Sequence, residues 1–582
     1  MTRWMGRLAC GAVVPSSMAR SAAALLLTFG VVLHGPLFAQ EEVQLDVPKD
    51  SSEALDEVEA LAELAGPWLT DLGDWLTEGG SEPRSKESCG WFAPESEGAE
   101  EFDLRGASVE RNLVARRAEL TAAEWAERLG ASGAGAYRKV IATRPLTDGA
   151  FQLDVRLELS DQAEPMAWSA VAELRVDLAP DSAEGLSGEL RAERVELLAF
   201  ERVQLDQPLL VDKTAAMFAN EPGVAELLGV GMDRWAQRLD DAGLTAWFGH
   251  QGLAVGDANG DGWDDLYVAM PSGLPNLLLV SQPDGSVLNV AESAGVAWLD
   301  DTKGVLFVDV NGDGRDDIVS ALGHVIVVQY ATDKGAFEIG GWCVGPDETP
   351  FYGVSATDFD GDGDLDIYGA RYVRSQYGES VPIPFHEARN GPSNHFFRNT
   401  ERGFVDVTVP LGLRSAGGER FSLAAHFMDI DGDGQDELYV VNDFGSNQLF
   451  AFAGGKYRDR TPAFGVADPG AGMGASWSDY DLDGDLDLYV TNMYSSAGRR
   501  VAFAEAFAEG RPDEERAAIQ RLSLGNTLLR HDGDGFSDVA DASRTRMGRW
   551  AWGAVFADLN CDGYDDLLSP AGFLTGPEPG DL

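Results

Sequence analysis

One nine-residue pattern, written six times in the C-terminal part of the chain, constrains the fold more than any other feature. It reads DANGDGWDD (Asp257 to Asp265), DVNGDGRDD (Asp309 to Asp317), DFDGDGDLD (Asp358 to Asp366), DIDGDGQDE (Asp429 to Glu437), DYDLDGDLD (Asp479 to Asp487) and DLNCDGYDD (Asp558 to Asp566). The starts at 257, 309, 358, 429, 479 and 558 are spaced 52, 49, 71, 50 and 79 residues apart. This is a period near 50 with two enlarged connections, and self-similarity at such a period marks a repeat architecture.

Every copy places an oxygen-bearing side chain at positions 1, 3, 5 and 9, and glycine at position 6. The candidate metal ligands are Asp257, Asn259, Asp261 and Asp265; Asp309, Asn311, Asp313 and Asp317; Asp358, Asp360, Asp362 and Asp366; Asp429, Asp431, Asp433 and Glu437; Asp479, Asp481, Asp483 and Asp487; Asp558, Asn560, Asp562 and Asp566. Ca²⁺ takes roughly 6 to 8 oxygens at ~2.3 to 2.6 Å, and one short loop supplies most of them only by turning sharply. Glycine at position 6 permits that turn, and the backbone carbonyl of position 7 (Trp263 in the first copy) adds a further oxygen. The plainer reading is a set of solvated acidic turns. The filling of all four positions in all six copies favours about six Ca²⁺ sites, structural rather than sensory or catalytic, since an ion bound only by the folded state stabilises it by linkage. Asn259, Asn311 and Asn560 remove one charge from their loops and predict weaker sites; Glu437 replaces the usual aspartate and predicts altered geometry there.

An EF-hand would need Glu at position 12 and flanking helices. Position 12 is Val268, Ser320, Gly369, Val440, Val490 or Ser569, never an acid. The flanks, such as GLAVG and LYVAM or HFM and LYVV, are short, β-branched or aromatic, and read as strands. The rest of the period repeats too: NLLLVSQPDGSVLNV (from Asn276), NHFFRNTERGFVDV (from Asn394), NQLFAFAGGKYRDR (from Asn447) and NTLLRHDGDGFSDV (from Asn526) each give strand, polar turn, strand. A four-stranded unit of about 50 residues has the size of a propeller blade, and several must pack radially to bury their faces.

From about Phe248 onward the chain resembles the FG-GAP/VCBS repeat proteins, calcium-binding β-propellers related to the head of integrin α subunits. The connecting stretches VPIPFHEARNGPSNHFFRN, VVNDFGSNQLF, VTNMYSSAGRR and MGRWAWGAVFADLN resemble the bacterial relatives of cartilage acidic protein. The resemblance implies a seven-bladed propeller with calcium held on one rim, and it brings no catalytic residues. SPAGFLTGPEPGDL follows the sixth loop by only a strand or two, where relatives in the family continue through another blade and a small C-terminal domain. Two expectations stay open: the N-terminal region closes the ring, or the chain is truncated.

The remaining segments set the context. Arg20 followed by SAAALLLTFGVVL and HGPLFAQEE reads as a secretory signal cleaved near Ala39, with Met1 or Met18 as the start. No later apolar run is long enough to cross a membrane. The mature chain keeps Cys89, Cys343 and Cys561, too few for a disulfide framework. The formal charge of −53 argues against any grip on phosphate backbones, so no nucleic acid partner is expected.

Residues 41–245 read as an α+β domain. SSEALDEVEALAELAGPWLTDLGDWL and SVERNLVARRAELTAAEWAERLG predict helices, TEGGSEPRSKESCG a loop, and 213–239 a helical lead into the first blade. YRKVIATRP, FQLDVRLEL, AELRVDL and GELRAERVELLAFERVQL predict a half-solvated antiparallel sheet. Between the signal and His250 there is no histidine, which removes His-based triads and His metal sites there. His386, His395 and His426 in the repeats read as packing residues rather than a metal or catalytic set, and Trp550 and Trp552 as core rather than a sugar-binding face.

The fold expectation is therefore mostly β: a signal at 1–40, a smaller α+β domain at 41–245, and a six- or seven-bladed β-propeller at 246–582. The functional expectation is an exported protein-interaction or adhesion module, not an enzyme, whose partner is an extracellular or cell-surface protein or polysaccharide. The enlarged connections at roughly 371 to 393 and 494 to 525 are its candidate partner surfaces. Alternatives are a carbohydrate-binding propeller and a polysaccharide-active enzyme using a carboxylate pair.

Overall fold

The computed structural model describes residues 49–229 and 252–572 apart from short stretches at 79–81, 84, 95–98, 105–106, 114–116, 130–134, 147–149, 162–166, 181–189, 206–210, 373–381, 415–418, 505–506, 508–509 and 534. The signal segment with its cleavage site and alternative start lies outside the described residues, as does the tail from 573. The chain divides into two compact units. One comprises Met1–Val211 and Ser495–Ser523, the other Asp212–Tyr494 and Leu524–Leu582.

The first unit is an eight-stranded sheet with helices. Its strands are β1 (Ser85–Pro94), β2 (Ala99–Leu104), β3 (Ala107–Leu113), β4 (Arg117–Leu120), β5 (Gly135–Pro145), β6 (Phe151–Asp161), β7 (Ala167–Pro180) and β8 (Leu190–Leu205). The order is β2-β3-β8-β7-β6-β5, with β1 bridging β8 and β4. All pairs are antiparallel except β1 with β8. Along β6 the apolar residues Phe151, Leu153, Val155, Leu157 and Leu159 are buried and alternate with Gln152, Asp154, Arg156 and Glu158, the period of a sheet with one covered face. The helix Lys49–Glu78 packs on this core through Leu61, Ala65, Trp68, Leu69, Leu72 and Leu76, a stripe at helical spacing. Trp91 sits between Trp75 and Trp125, with ring centroids 5.6 and 5.2 Å apart.

Two local expectations fail here. The segment beginning SVERNLV is not one helix: Ala107–Leu113 and Arg117–Leu120 are strands, and only Ala122–Leu129 is helical. The loop expected at TEGGSEPRSKESCG is strand from Ser85 onward. Both misreadings share a cause. The 16-residue β8 offers an edge longer than one partner covers, so β3 pairs with its C-terminal half and β1 with its N-terminal half, and tertiary pairing overrides weak local propensity. The surviving helix starts where its signal is strongest. The Thr121 hydroxyl accepts the Glu124 N–H at 3.2 Å, and the Glu124 carboxylate accepts the Thr121 N–H at 2.8 Å, a capping box.

Residues 495–523 also belong to this unit, although the sequence assigns everything after 246 to the propeller. The helix Ser496–Ala502 packs against β5 and the helix Lys49–Glu78, and Arg500 Nη1 donates to the Val140 carbonyl at 2.6 Å. Together with Asp513–Arg521 it buries Val501, Ala502, Phe507 and Ile519. Several apolar positions of the second enlarged connection are thus consumed in packing, although Phe503 stays exposed.

The second unit is a run of antiparallel sheets in chain order. The first holds β9 (Leu253–Gly256), β10 (Asp265–Val268), β11 (Leu277–Ser281) and β12 (Val287–Asn289); the second β13 (Thr302–Val308), β14 (Asp317–Leu322), β15 (Val325–Ala331) and β16 (Phe337–Val344). The third holds β17 (Phe351–Thr357), β18 (Asp366–Arg371), β19 (His395–Arg398) and β20 (Val405–Asp406); the fourth β21 (Phe421–Met428), β22 (Glu437–Asp443), β23 (Gln448–Phe452) and β24 (Tyr457–Asp459). The fifth holds β25 (Gly472–Ser478), β26 (Asp487–Asn492), β27 (Thr527–His531) and β28 (Phe536–Asp538), and the sixth the pair β29 (Val555–Ala557) and β30 (Asp566–Leu568).

The first strands β9, β13, β17, β21, β25 and β29 lie against one another in that order, as the inner strands of propeller blades do. The second strands β14, β18, β22 and β26 are buried at every residue because each is covered by blades on both faces. One core cluster, for example, joins Val319 and Val328 of the second blade to Phe351, Ile367 and Phe397 of the third. The expected helical lead is two short helices, Thr214–Met217 and Pro222–Leu228, whose Met217 and Val224 pack on Leu277 and Leu279 of the first blade. Residues 212–229 accordingly belong to the propeller unit.

Candidate metal centre

Each acidic loop joins the first two strands of a blade, so all six occupy equivalent places in the repeat. Their internal bonding is also shared. The carboxylate at position 1 accepts backbone N–H groups from positions 5 and 6: Asp257 from Asp261 and Gly262, Asp309 from Asp313 and Gly314, Asp358 from Asp362 and Gly363, Asp429 from Asp433 and Gly434, Asp479 from Asp483 and Gly484, Asp558 from Asp562 and Gly563, at 2.7 to 3.1 Å. The carboxylate at position 5 accepts the N–H of position 7, as in Asp261 with Trp263 at 2.9 Å and Asp483 with Asp485 at 3.0 Å. The turn requires a left-handed glycine at position 6, with φ of 86° at Gly262 and 99° at Gly484.

Position 9 begins the second strand and is buried in the first five blades, Asp265, Asp317 and Asp487 being 0 % exposed and Glu437 2 %, while Asp566 of the sixth is half-buried. Its carboxylate accepts the N–H of position 2 in five loops and, in four blades, the N–H where the third strand ends. Asp317 takes those of Val310 at 3.0 Å and Ala331 at 2.8 Å, Asp366 those of Phe359 at 3.3 Å and Asn399 at 2.8 Å. Glu437 makes the first of these contacts, to Ile430 at 3.0 Å, despite its extra methylene. Burial pushes these acids up, to about 6 at Asp317 and Asp487 and about 7 at Asp366 and Glu437, with neighbouring loop carboxylates adding to the effect. At Asp257 burial acts in the same direction but is outweighed by the backbone N–H donors, and its pKa is lowered.

The donor set fits a hard cation. In the three loops with aspartate at position 3, one carboxylate oxygen from each of three acids lies within 4.8 Å of the others: Asp358, Asp360 and Asp366; Asp429, Asp431 and Glu437; Asp479, Asp481 and Asp483. Carboxylates converging this closely repel one another, and a divalent ion offsets that repulsion. In the other three loops an asparagine stands at position 3; Asn259 Nδ2 donates to Asp261 at 3.0 Å.

Three devices escaped the sequence reading. At position 8, Asp316 accepts the Asp257 N–H at 3.3 Å, Asp436 the Thr357 hydroxyl at 2.6 Å and Asp565 the Ser478 hydroxyl at 2.6 Å, each tying a loop to the preceding blade. At position 11, Tyr267, Tyr439 and Tyr489 accept from the amide of Asn276, Asn447 and Asn526, and the same asparagines accept a backbone N–H from the end of the second strand. The repeated Tyr at position 11 and Asn before the third strand were the available signal. The third device is a charged chain in the third blade: Asp406 bonds His395 Nδ1 at 2.8 Å, His395 Nε2 faces Arg371 at 3.4 Å, and Arg371 reaches Asp347 at 3.1 Å. The His395 bond helps hold the Asp406 carboxyl down to about 2 against its burial.

The histidines do not assemble, and among the described residues the three loop groups are the ones whose acids, histidines or cysteines gather as a metal site would require. Trp550 is buried and Trp552 half-buried. Of the first enlarged connection, 373–381 lies outside the described residues. Beyond it Glu387 accepts from Arg420 at 2.6 Å and from the Ser446 N–H at 3.2 Å, which fastens the segment to the fourth blade.

Successive four-stranded blades with an acidic loop between their first two strands define a β-propeller of the integrin-like type. The chain carries FG-GAP-like repeats: the family profile described as FG-GAP-like repeat matches residues 257–320, 309–369 and 429–490. It is similar to cartilage acidic protein 1 of Xenopus tropicalis, 28% identical over 218 residues, covering 34% of this chain and 30% of that protein. The mouse protein of the same name is 28% identical over 154 residues, covering 24% of this chain and 22% of the relative. The chain thus spans less than a third of the length of these curated relatives. A solved Agrocybe aegerita lectin structure, described as recognising non-reducing terminal N-acetylglucosamine, aligns over 56% of this chain and 75% of its own with 14% identity and a TM-score of 0.31. No described helix is long and apolar enough to cross a membrane.

Proposed function

We propose that this chain is an exported calcium-binding β-propeller that acts as a protein-interaction or adhesion module, with the ions serving structure and no catalysis attached. The observation that carries the reading is the shared wiring of six loops, in which position 1 closes the turn on backbone N–H groups, together with the convergence of three acids in each of the three loops with aspartate at position 3. Positions 1, 3, 5 and 9 would hold the ion. Bound Ca²⁺ would supply the positive charge that five of the six loops lack, the second alone carrying an arginine, Arg315, on its Asp313. The protein's own residues do the rest: position 1 fixes the turn, position 9 anchors it to the second and third strands, and position 8 joins it to the preceding blade. A loop stiffened in this way stiffens two blades at once, which suits a scaffold that presents its outer loops to a partner.

The test is thermal unfolding of the full-length mature protein in excess Ca²⁺ and in chelator, with bound calcium counted by elemental analysis. About six ions and a large fall in Tm on chelation are expected. A site held at a hundredfold excess over its Kd contributes ~2.7 kcal/mol by linkage. Little bound calcium and an unchanged Tm would reduce the loops to solvated turns and remove the metal from the account.

A further inference from the structure

The six loops already differ within the nine-residue pattern, where the second also carries Arg315 on Asp313, but the third and fifth, alike in their acids, differ only outside it. In the third blade Ile367 pairs with Phe397, so the next residue of β19, Arg398, stands beside the ninth acid, Asp366. In the fifth blade Leu488 pairs with Leu529, which places Arg530 in the same position beside Asp487. The first, second and fourth blades have Val280, Tyr330 and Ala451 there. Two blades therefore bring an arginine to the edge of their loop, and the two arginines behave differently. Arg398 turns into its loop: Nη2 lies 2.5 Å from Asp360 Oδ2 and 3.2 Å from Asp362 Oδ2, the acids at positions 3 and 5. Arg530 instead pairs with Asp532, Nε at 2.9 Å and Nη2 at 2.7 Å from Oδ1. The residue two places after Arg398 is Thr400, whose hydroxyl is engaged with the Gly403 carbonyl at 2.6 Å and has no charge to hold a guanidinium.

We propose that Arg398 is a tethered cation that competes with calcium for the third loop, making it a low-affinity site that fills after the fifth, and that Asp532 prevents Arg530 from doing the same. This rests on the calcium reading above and goes beyond it, since it predicts an order of filling that the loop sequences do not show. By acid count the third and fifth loops are identical, each with aspartate at all four ligand positions. A guanidinium on positions 3 and 5 occupies oxygens the ion needs and cancels part of the charge that attracts it. It remains displaceable: Arg398 is 43% exposed at its side chain, and its Nε is buried without a partner, a strain that turning outward relieves. The third loop would then respond to calcium in a range where the other aspartate loops are already full.

Hydrogen exchange with mass spectrometry, following the loop peptides of the full-length mature protein across a calcium titration, reads each site separately. In the wild type the 358–366 peptide should gain protection at a higher calcium concentration than the 479–487 peptide. Arg398→Gln should lower the third-loop midpoint by about three- to tenfold, the range of a partly exposed charge pair. Thr400→Asp should shift it the same way with the arginine still present, and Asp532→Thr should raise the fifth-loop midpoint. An unmoved third-loop midpoint in both Arg398→Gln and Thr400→Asp, with calcium still protecting the other loops, overturns the inference and leaves the calcium reading intact. No calcium response in any loop overturns both.

Discussion

The two units solve one problem in different ways. Both are rich in acids, yet in the N-terminal sheet the acids of the polar face find arginines: Asp154 takes Arg175 at 2.7 Å and Arg144 at 2.8 Å, and Glu158 takes Arg156 at 2.9 Å. In the propeller loops the acids mostly find backbone N–H groups and one another, with Arg315 on Asp313 and Arg398 on Asp360 and Asp362 as exceptions. Backbone donors orient a carboxylate but do not neutralise it. These two sheet acids are therefore neutralised by side chains, and most of the loop acids are not. Within a formal charge of −53, the acids thus include two populations, those of the sheet's polar face that are paired with arginines and those of the loops that mostly lack a side-chain counter-charge.

That contrast can be broken or sharpened by substitution. The largest effect is expected in a loop. Asp429→Ala removes the acceptor for the Asp433 and Gly434 N–H groups and a candidate ligand. It should cost about 4 kcal/mol in excess Ca²⁺ but only about 1 to 2 in chelator, as measured by denaturant unfolding of the propeller transition. Equal costs in the two conditions would mean that the loop works by hydrogen bonding alone.

Next comes Asp443, which lies away from the loops at the end of β22, 3 % exposed, where it accepts the Tyr372 hydroxyl at 2.7 Å. Burial pushes its carboxyl up to about 7. Its folded pKa lies above the ordinary value, so its contribution to stability is complete below about pH 4 and is lost as pH rises toward and past 7. Asp443→Asn keeps an acceptor for Tyr372 without the charge. At pH 8 in excess calcium it should be more stable than the wild type by about 3 kcal/mol, a gap that closes by pH 4. A gap of the same size at both pH values would remove the titration from the explanation.

The smallest effect belongs to the sheet. Burial opposes ionisation at Asp154, but its two arginines prevail and hold the carboxyl below its usual range. Its stabilisation is therefore present at neutral pH and lost as pH falls through the lowered value. Asp154→Asn should cost about 1 kcal/mol at pH 7, identically with calcium and with chelator. A calcium-dependent cost there would show that the two populations of charge are not independent.

What could be read from the sequence follows the range of the interactions involved. The loops, their flanking strands and the four-stranded repeat were legible because each is written within about 50 residues and repeated. The helix Lys49–Glu78 and strands β5 to β8 were legible through their periodicity. The reading failed where a segment's conformation is set by a distant partner: β1 and β3 are strands because β8 has edge to offer. Position 8 was overlooked because its bonds cross to another blade, and the Tyr–Asn pairs because they link two strands rather than adjacent residues. The arginine that separates the third loop from the fifth lies on the third strand, more than thirty residues beyond the loop it affects.

The membership of residues 495–523 in the N-terminal unit bears on how the protein is made. A chain emerging from a ribosome offers its first 211 residues early, but the helix that covers β5 and the helix Lys49–Glu78 is translated roughly 280 residues later. At about 5 to 20 residues per second, the sheet waits between about fifteen seconds and a minute for its last piece while four blades are synthesised. The N-terminal unit, first to be translated, can then be among the last to be completed. Any chaperone serving this protein would have the uncovered flank of β5 and the helix Lys49–Glu78 to guard for the whole of that interval.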